Sequence, residues 1–124
     1  PSVVCDASSP VAEVYFAETP PASAPTAAVV ADGTCFRQIE FVGILRGTEA
    51  EDAARQLVDF MLSKQFQEDL PLKMFVYPAN ATAVLPEVFA QHSHTPAAPV
   101  QMDAARIAAN REAWIQAWTE TVLR

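Results

Sequence analysis

Proline decides where this chain can be regular. Four of its ten prolines fall at positions 10, 20, 21 and 25, and five more at 71, 78, 86, 96 and 99, whereas residues 26–70 and 100–124 contain none. A proline has no N–H to give to a helix or a sheet ladder and holds φ near −65°, so long elements are confined to those two windows. Each delivers a periodic segment. In the first, Ala53, Ala54, Leu57, Val58, Met61 and Leu62 recur at helical spacing, with Asp52, Arg55, Gln56 and Asp59 largely opposite. Thr48-Glu49-Ala50-Glu51 ahead of them reads as a capping box, and the two acids at 51 and 52 suit a helix N-terminus. In the second, Ile107, Trp114, Trp118 and Val122 form one stripe of a helix over residues 103–122, its tryptophans read as packing residues.

The segments between are shorter. Residues 3–7 read as a strand feeding a helix that starts at Ser8-Ser9-Pro10 and carries Val11, Val14 and Tyr15. A proline-rich connector over 19–25 follows, then a brief strand over 27–31, a turn at Asp32-Gly33, and a β-rich run over 36–45 with Ile39, Phe41, Val42, Ile44 and Leu45. Ser63 is placed to cap a second short helix through Phe66 that Leu70-Pro71 ends. Residues 74–78 read as extended, and 79–100 as irregular.

With 124 residues the chain is one domain's worth, and its 8 Lys+Arg against 15 Asp+Glu leave a net charge of −7. Scattered cations on an acidic chain exclude a nucleic-acid or anionic-membrane surface. Glycine occurs only at 33, 43 and 47, so neither a phosphate-cradling Walker loop nor a dinucleotide fingerprint can be written. No run approaches the roughly 18 apolar residues of a membrane span, and no basic leader opens the sequence, so any signal peptide lies outside these residues. Cys5 and Cys35 are too few for a structural zinc site: they form a bridge closing a loop of about 30 residues, worth about 3–4 kcal/mol, or they are two buried thiols.

Candidate sites are few. His92-Ser93-His94 lacks the further ligands a metal needs and has no marked nucleophile beside it, so a hydrolase or transferase using those histidines is the weak competitor and a polar loop the ordinary reading. Asn80-Ala81-Thr82 matches a glycosylation sequon and reads equally as a polar turn. Asp6, Ser8 and Ser9 sit where a strand end meets a helix N-terminus, a place able to hold an anion or a polar ligand head. Phe75 and Tyr77, two apart on an extended segment, point to one side and offer ring faces to an aromatic or cationic ligand. No cofactor is called for, and a purely structural interaction module is the remaining reading.

Taken in order, Ser8-Ser9-Pro10, Cys35 through Phe41, Ala53 through Gln67, Phe75-Val76-Tyr77-Pro78, Leu85-Pro86-Glu87-Val88-Phe89 and Ala108-Ala109-Asn110-Arg111 with Trp114 and Trp118 resemble the carboxyl-terminal part of thiamine-binding periplasmic proteins. These are substrate-binding components of ABC importers. The Leu-Ser-x-x-Phe-Gln ending at 62–67 is shared with iron- and polyamine-type binders, while the stretches at 75–78 and 85–89 are closer to the thiamine group. The resemblance implies an α/β chain, the carboxyl-terminal portion of a type 2 periplasmic-binding-protein fold. That fold has two lobes of mixed sheet flanked by helices, and residues 1–124 contribute to both and are incomplete alone. It implies no enzyme, a thiamine-like ligand in an interlobe cleft, delivery to a membrane permease, and a periplasmic location. A chain of this kind is expected to dimerise or to pair with the missing amino-terminal part. Position by position, Phe75 stands where thiamine binders usually carry a tryptophan, and Asp6 where they often carry a tyrosine. Asp6 then either attracts a cationic ligand or caps the Ser8 or Ser9 amide. Ser8 and Ser9 would face the hydroxyethyl or phosphate end. The alternative ligand is a polyamine, an iron chelate or another small cation.

Overall fold

The computed structural model describes residues 5–19 and 21–123, and its regular structure is almost wholly helical: α1 (Ser9–Tyr15), α2 (Glu51–Leu62), α3 (Lys64–Met74), α4 (Glu87–His92) and α5 (Ala104–Val122). Ser8 occupies the N-cap position of α1 with Pro10 in the first turn, where its missing N–H leaves no helical bond unmade. α1 packs on α4, and Val11, Val14 and Phe89 are the buried apolar side chains they share.

Helix α2 begins two residues later than the capping-box reading expects. The Thr48 hydroxyl accepts from Ala50 N (3.3 Å) rather than from Glu51, and the first helical bond is Ala54 N to Ala50 O (2.9 Å). Glu51 is drawn forward along the helix to Arg55 (2.5 Å), an i,i+4 ion pair that takes the carboxylate away from the cap. Ser63 does cap α3, accepting from Phe66 N (3.3 Å) with an extended backbone of φ −64° and ψ 153°. α3 then runs past Leu70-Pro71 to Met74. Pro71 removes one helical bond, but its ring is fully buried and its carbonyl accepts from Phe75 N (3.1 Å), so the helix gains a further turn. α2 and α3 pack together, with Phe60 and Phe66 edge to face at 5.4 Å.

The loop after α3 is held by side-chain amides. Gln67, 6% exposed, accepts from Ala79 N (2.6 Å) and Asn80 N (3.4 Å) and donates to Met61 O (2.7 Å). Asn80 donates to Leu62 O (2.8 Å) and accepts from Thr82 N (2.9 Å), so the sequon residues build a polar turn that also satisfies a carbonyl at the end of α2. Glu68 accepts from Val84 N (2.8 Å). α5 starts as expected, with Asp103 accepting from Arg106 N (2.9 Å). None of its residues is buried, however, and Trp114 and Trp118 are 40% and 55% exposed, so among the described residues the tryptophan stripe lacks its cover.

The mixed sheet of the α/β expectation is not formed among the described residues, which contain a single isolated parallel bridge between Phe36 and Val100. Neither 27–31 nor 36–45 is a strand. Of the strand read over 3–7, residues 3 and 4 lie outside the described residues and Cys5 and Asp6 are irregular. The physical reason is the absence of neighbours. A strand exists through its ladder, and among the described residues 38–44 make no backbone hydrogen bond. The turn at Asp32-Gly33 is real: Thr34 N donates to Ala31 O (3.1 Å), Gly33 takes φ 75°, and Asp32 accepts from Ala98 N (3.0 Å).

Candidate functional site

The predicted site residues lie where the start of α1, the end of α3 and the end of α4 converge. Ser8 is 5% exposed, and its hydroxyl does not cap α1 but donates to the carbonyl of Phe75 (2.6 Å). That bond crosses from the first helix to the residue closing α3. Phase of the backbone changes there: Phe75 sits in the left-handed region, φ 54° and ψ 37°, a conformation that costs a bulky side chain about 1–3 kcal/mol and persists only where the surroundings enforce it.

The left-handed turn separates two rings expected to share one side. Phe75 turns onto the end of α1, its ring 5.9 Å from Tyr15 and 5.5 Å from Phe16, themselves 5.2 Å apart. Tyr77 turns the other way, edge to face on buried Phe89 at 5.3 Å. The extended reading of 74–78 therefore fails at its first two residues, because Met74 completes α3 and Phe75 is its cap. Tyr77 is a half-buried ring with a polar tip, packed on the core. Its hydroxyl bonds Ser93, which is 7% exposed, and the Ser93 hydroxyl donates on to Ala7 O (3.4 Å).

Tyr15 and Phe16 are the residues sequence reasoning missed as site candidates. They are 45% and 71% exposed, so with Phe75 they make an aromatic cluster whose outer faces remain open. Two adjacent rings just ahead of a proline-rich connector were the available signal. Asp6 and Ser9 lie at the start of α1, the end opposite Tyr15 and Phe16. Ser9 N donates to the backbone carbonyl of Asp6 (3.0 Å), so the Asp6 carboxylate does not cap that amide, and Asp6 is exposed. Ser8→Ala is expected to lower stability by about 1–2 kcal/mol, the scale of a buried carbonyl losing its donor, and to loosen Phe75. Urea unfolding with Phe75 ring resonances as a second readout checks both.

The remaining candidates are dispersed. Cys5 and Cys35 are free thiols, the first exposed and the second half-buried with its Sγ 3.6 Å from Val29 O, so neither the bridge nor the pair of buried thiols is what forms. His92 ends α4 and His94 is exposed beyond it, and among the described residues no three His, Cys, Asp or Glu side chains gather as a metal site. Among those residues, too, no helix is long and apolar enough to cross a membrane. A separate apolar groove of about 480 Å³ lies between residues 42–48 and Ala54, Leu57 and Val58 of α2, away from the aromatic cluster.

Residues 6–106 match the family model of bacterial extracellular solute-binding proteins. The chain is 30% identical over 89 residues to a thiamine-binding periplasmic protein of Escherichia coli strain K12, and 29% identical over 89 residues to a thiamine-binding periplasmic protein of Salmonella typhimurium strain LT2. Each alignment takes in 72% of this chain and 27% of the relative, so the chain spans about a quarter of the length of the curated proteins it matches. No solved structure matches it.

Proposed function

The chain belongs to the family of bacterial extracellular solute-binding proteins, and from that membership we propose that it supplies part of the cleft of an ABC-importer binding component for thiamine or a thiamine phosphate. In this reading it contributes to both lobes of a two-lobed periplasmic protein that closes on its solute by a ligand-driven population shift and delivers it to a membrane permease. It catalyses nothing. The observation carrying the ligand class is the match over 72% of the chain to two proteins named for thiamine binding.

The geometry supports a cation with an aromatic ring. Thiamine's thiazolium is permanently charged, and the exposed rings of Tyr15 and Phe16, with half-buried Phe75 packed against them, offer the negative quadrupole that attracts such a ring. Exposed Asp6 carries a carboxylate at the start of α1, with Ser9 near it in the chain for a hydroxyl or phosphate end. Ser8 and Tyr77 act from behind, Ser8 by holding the Phe75 carbonyl and Tyr77 by tying α4 to the Ala7 turn through Ser93. Asp6 also favours the second reading, a polyamine or other small cation, for which a carboxylate matters more than a ring.

The test is Phe75→Ala in the chain joined to the part of the Escherichia coli relative that lies outside the match. Thiamine affinity by calorimetry is expected to fall at least about fivefold, the equivalent of about 1 kcal/mol for an aromatic contact. Unchanged affinity would sink the assignment of this wall.

A further inference from the structure

Residues 1–36 contain no Lys, Arg or His, and the first basic side chain of the sequence is Arg37. Of the four acids in that stretch, Asp6, Glu13, Glu18 and Asp32, Glu13 is the one on α1 itself. It stands one turn before Phe16, which caps α1 with helical backbone (φ −92°, ψ −1°), so the i,i+3 relation puts the two side chains on one face. A helical side chain leans back over the turn that precedes it, which carries the Phe16 ring toward Glu13. The Glu13 side chain is exposed yet held: the Thr26 hydroxyl donates to its Oε2 at 2.7 Å, fastening the far end of the proline-rich connector to α1. Among the described residues none of the ion pairs includes Glu13, so its charge stands uncompensated beside the most exposed ring of the aromatic cluster. Fixing a carboxylate in place before a ligand arrives removes part of the side-chain ordering cost of gripping that ligand.

We propose that Glu13 is a further ligand-binding residue: its carboxylate, held by Thr26, and the Phe16 ring together take a permanently charged aromatic cation and disfavour its neutral counterpart. This rests on the reading of the aromatic cluster as a ligand wall, and names the group that selects for charge there. The two partners discriminate differently. Ring faces attract a flat apolar ligand as well as a cation, whereas a carboxylate attracts the cation alone, through a modest interaction that salt screens. Asp6 does not duplicate this role, because it lies at the opposite end of α1.

Two small fragments titrated into the chain itself, followed through the Tyr15 and Phe16 ring resonances, test this. One is an N-methylated hydroxyethylthiazolium salt, permanently charged; the other is the parent hydroxyethylthiazole, neutral at neutral pH. The charged fragment is expected to shift those resonances saturably and to bind at least about threefold more tightly than the neutral one. Glu13→Gln keeps an acceptor for Thr26 and removes only the charge, so it is expected to abolish that difference while leaving the melting of the chain unchanged. Thr26→Val frees the carboxylate and is expected to weaken the charged fragment alone. Glu49→Gln, which removes the same charge from an exposed position ahead of α2, is expected to leave both affinities as they are, separating a placed carboxylate from net charge. Equal binding of the two fragments, no saturable shift with either, a difference that survives Glu13→Gln, a Thr26→Val variant that matches the parent, or an equal loss in Glu49→Gln would each overturn the proposal. Thiamine itself is not used, so a failure of the thiamine reading in the joined chain and a failure here are separate results.

Discussion

Phe89→Ala is expected to cost about 3–5 kcal/mol, the range for deleting a fully buried aromatic ring together with the cavity it leaves. The effect is large here because so little else is buried. Val11, Val14 and Phe89 are the buried apolar side chains among the described residues, and Phe89 is 0% exposed at the centre of the α1–α4 contact. Its ring also receives the edge of Tyr77, whose hydroxyl ties Ser93 toward the Ala7 turn. Against a total stability of about 5–15 kcal/mol for ordinary domains, such a loss brings the α1–α4 unit close to unfolding at room temperature. Urea unfolding of Phe89→Ala beside Phe41→Ala checks it. The 88% exposed Phe41 is expected to change stability by about 0.5 kcal/mol or less, and equal losses in the two variants would contradict the assignment of the core.

Gln67→Leu is expected to cost about 2–4 kcal/mol without opening a cavity, because the replacement has a similar volume. What it removes is polar satisfaction. Met61 O loses its donor and the Ala79 and Asn80 amides lose their acceptor at a position 6% exposed, each unpaired buried group costing about 1–3 kcal/mol. Gln67→Glu separates the two halves of that loss. It keeps an acceptor for the amides but sets a negative charge against the Met61 carbonyl, so it too is expected to destabilise. The loop from Phe75 to Asn80 carries both aromatic site candidates, and its slackening is expected to appear as faster exchange at the Ala79 and Asn80 amides. A Leu variant as stable as the parent, with those amides still protected, would show that Gln67 does not anchor the loop.

These residues explain what was legible in the sequence. The Leu-Ser-x-x-Phe-Gln pattern at 62–67 announced a family resemblance, and each of its side chains does local work: Ser63 caps α3, Phe66 packs on Phe60, and Gln67 pins the following loop. Helix starts at Ser8, Ser63 and Asp103 were readable because caps and prolines act within one turn. The strands were not recoverable in the chain as it stands. The apolar, β-rich run over 36–45 marks a segment suited to a sheet, and a single segment cannot provide the neighbouring strand. The same limit applies to the site. The placement of Phe75 against Tyr15 and Phe16 depends on one left-handed residue and on a hydroxyl 67 positions earlier in the chain, neither of which a two-residue spacing can encode.

The central claim is that the aromatic wall of this chain recognises a thiamine-like cation. The most direct measurement is a competition, by calorimetry, between thiamine and spermidine for the chain joined to the part of the Escherichia coli relative outside the match, run with and without Phe75. Thiamine is expected to bind in preference to spermidine, with that preference reduced at least about fivefold in Phe75→Ala. Preferred binding of spermidine, or a thiamine preference that Phe75→Ala leaves untouched, would contradict it.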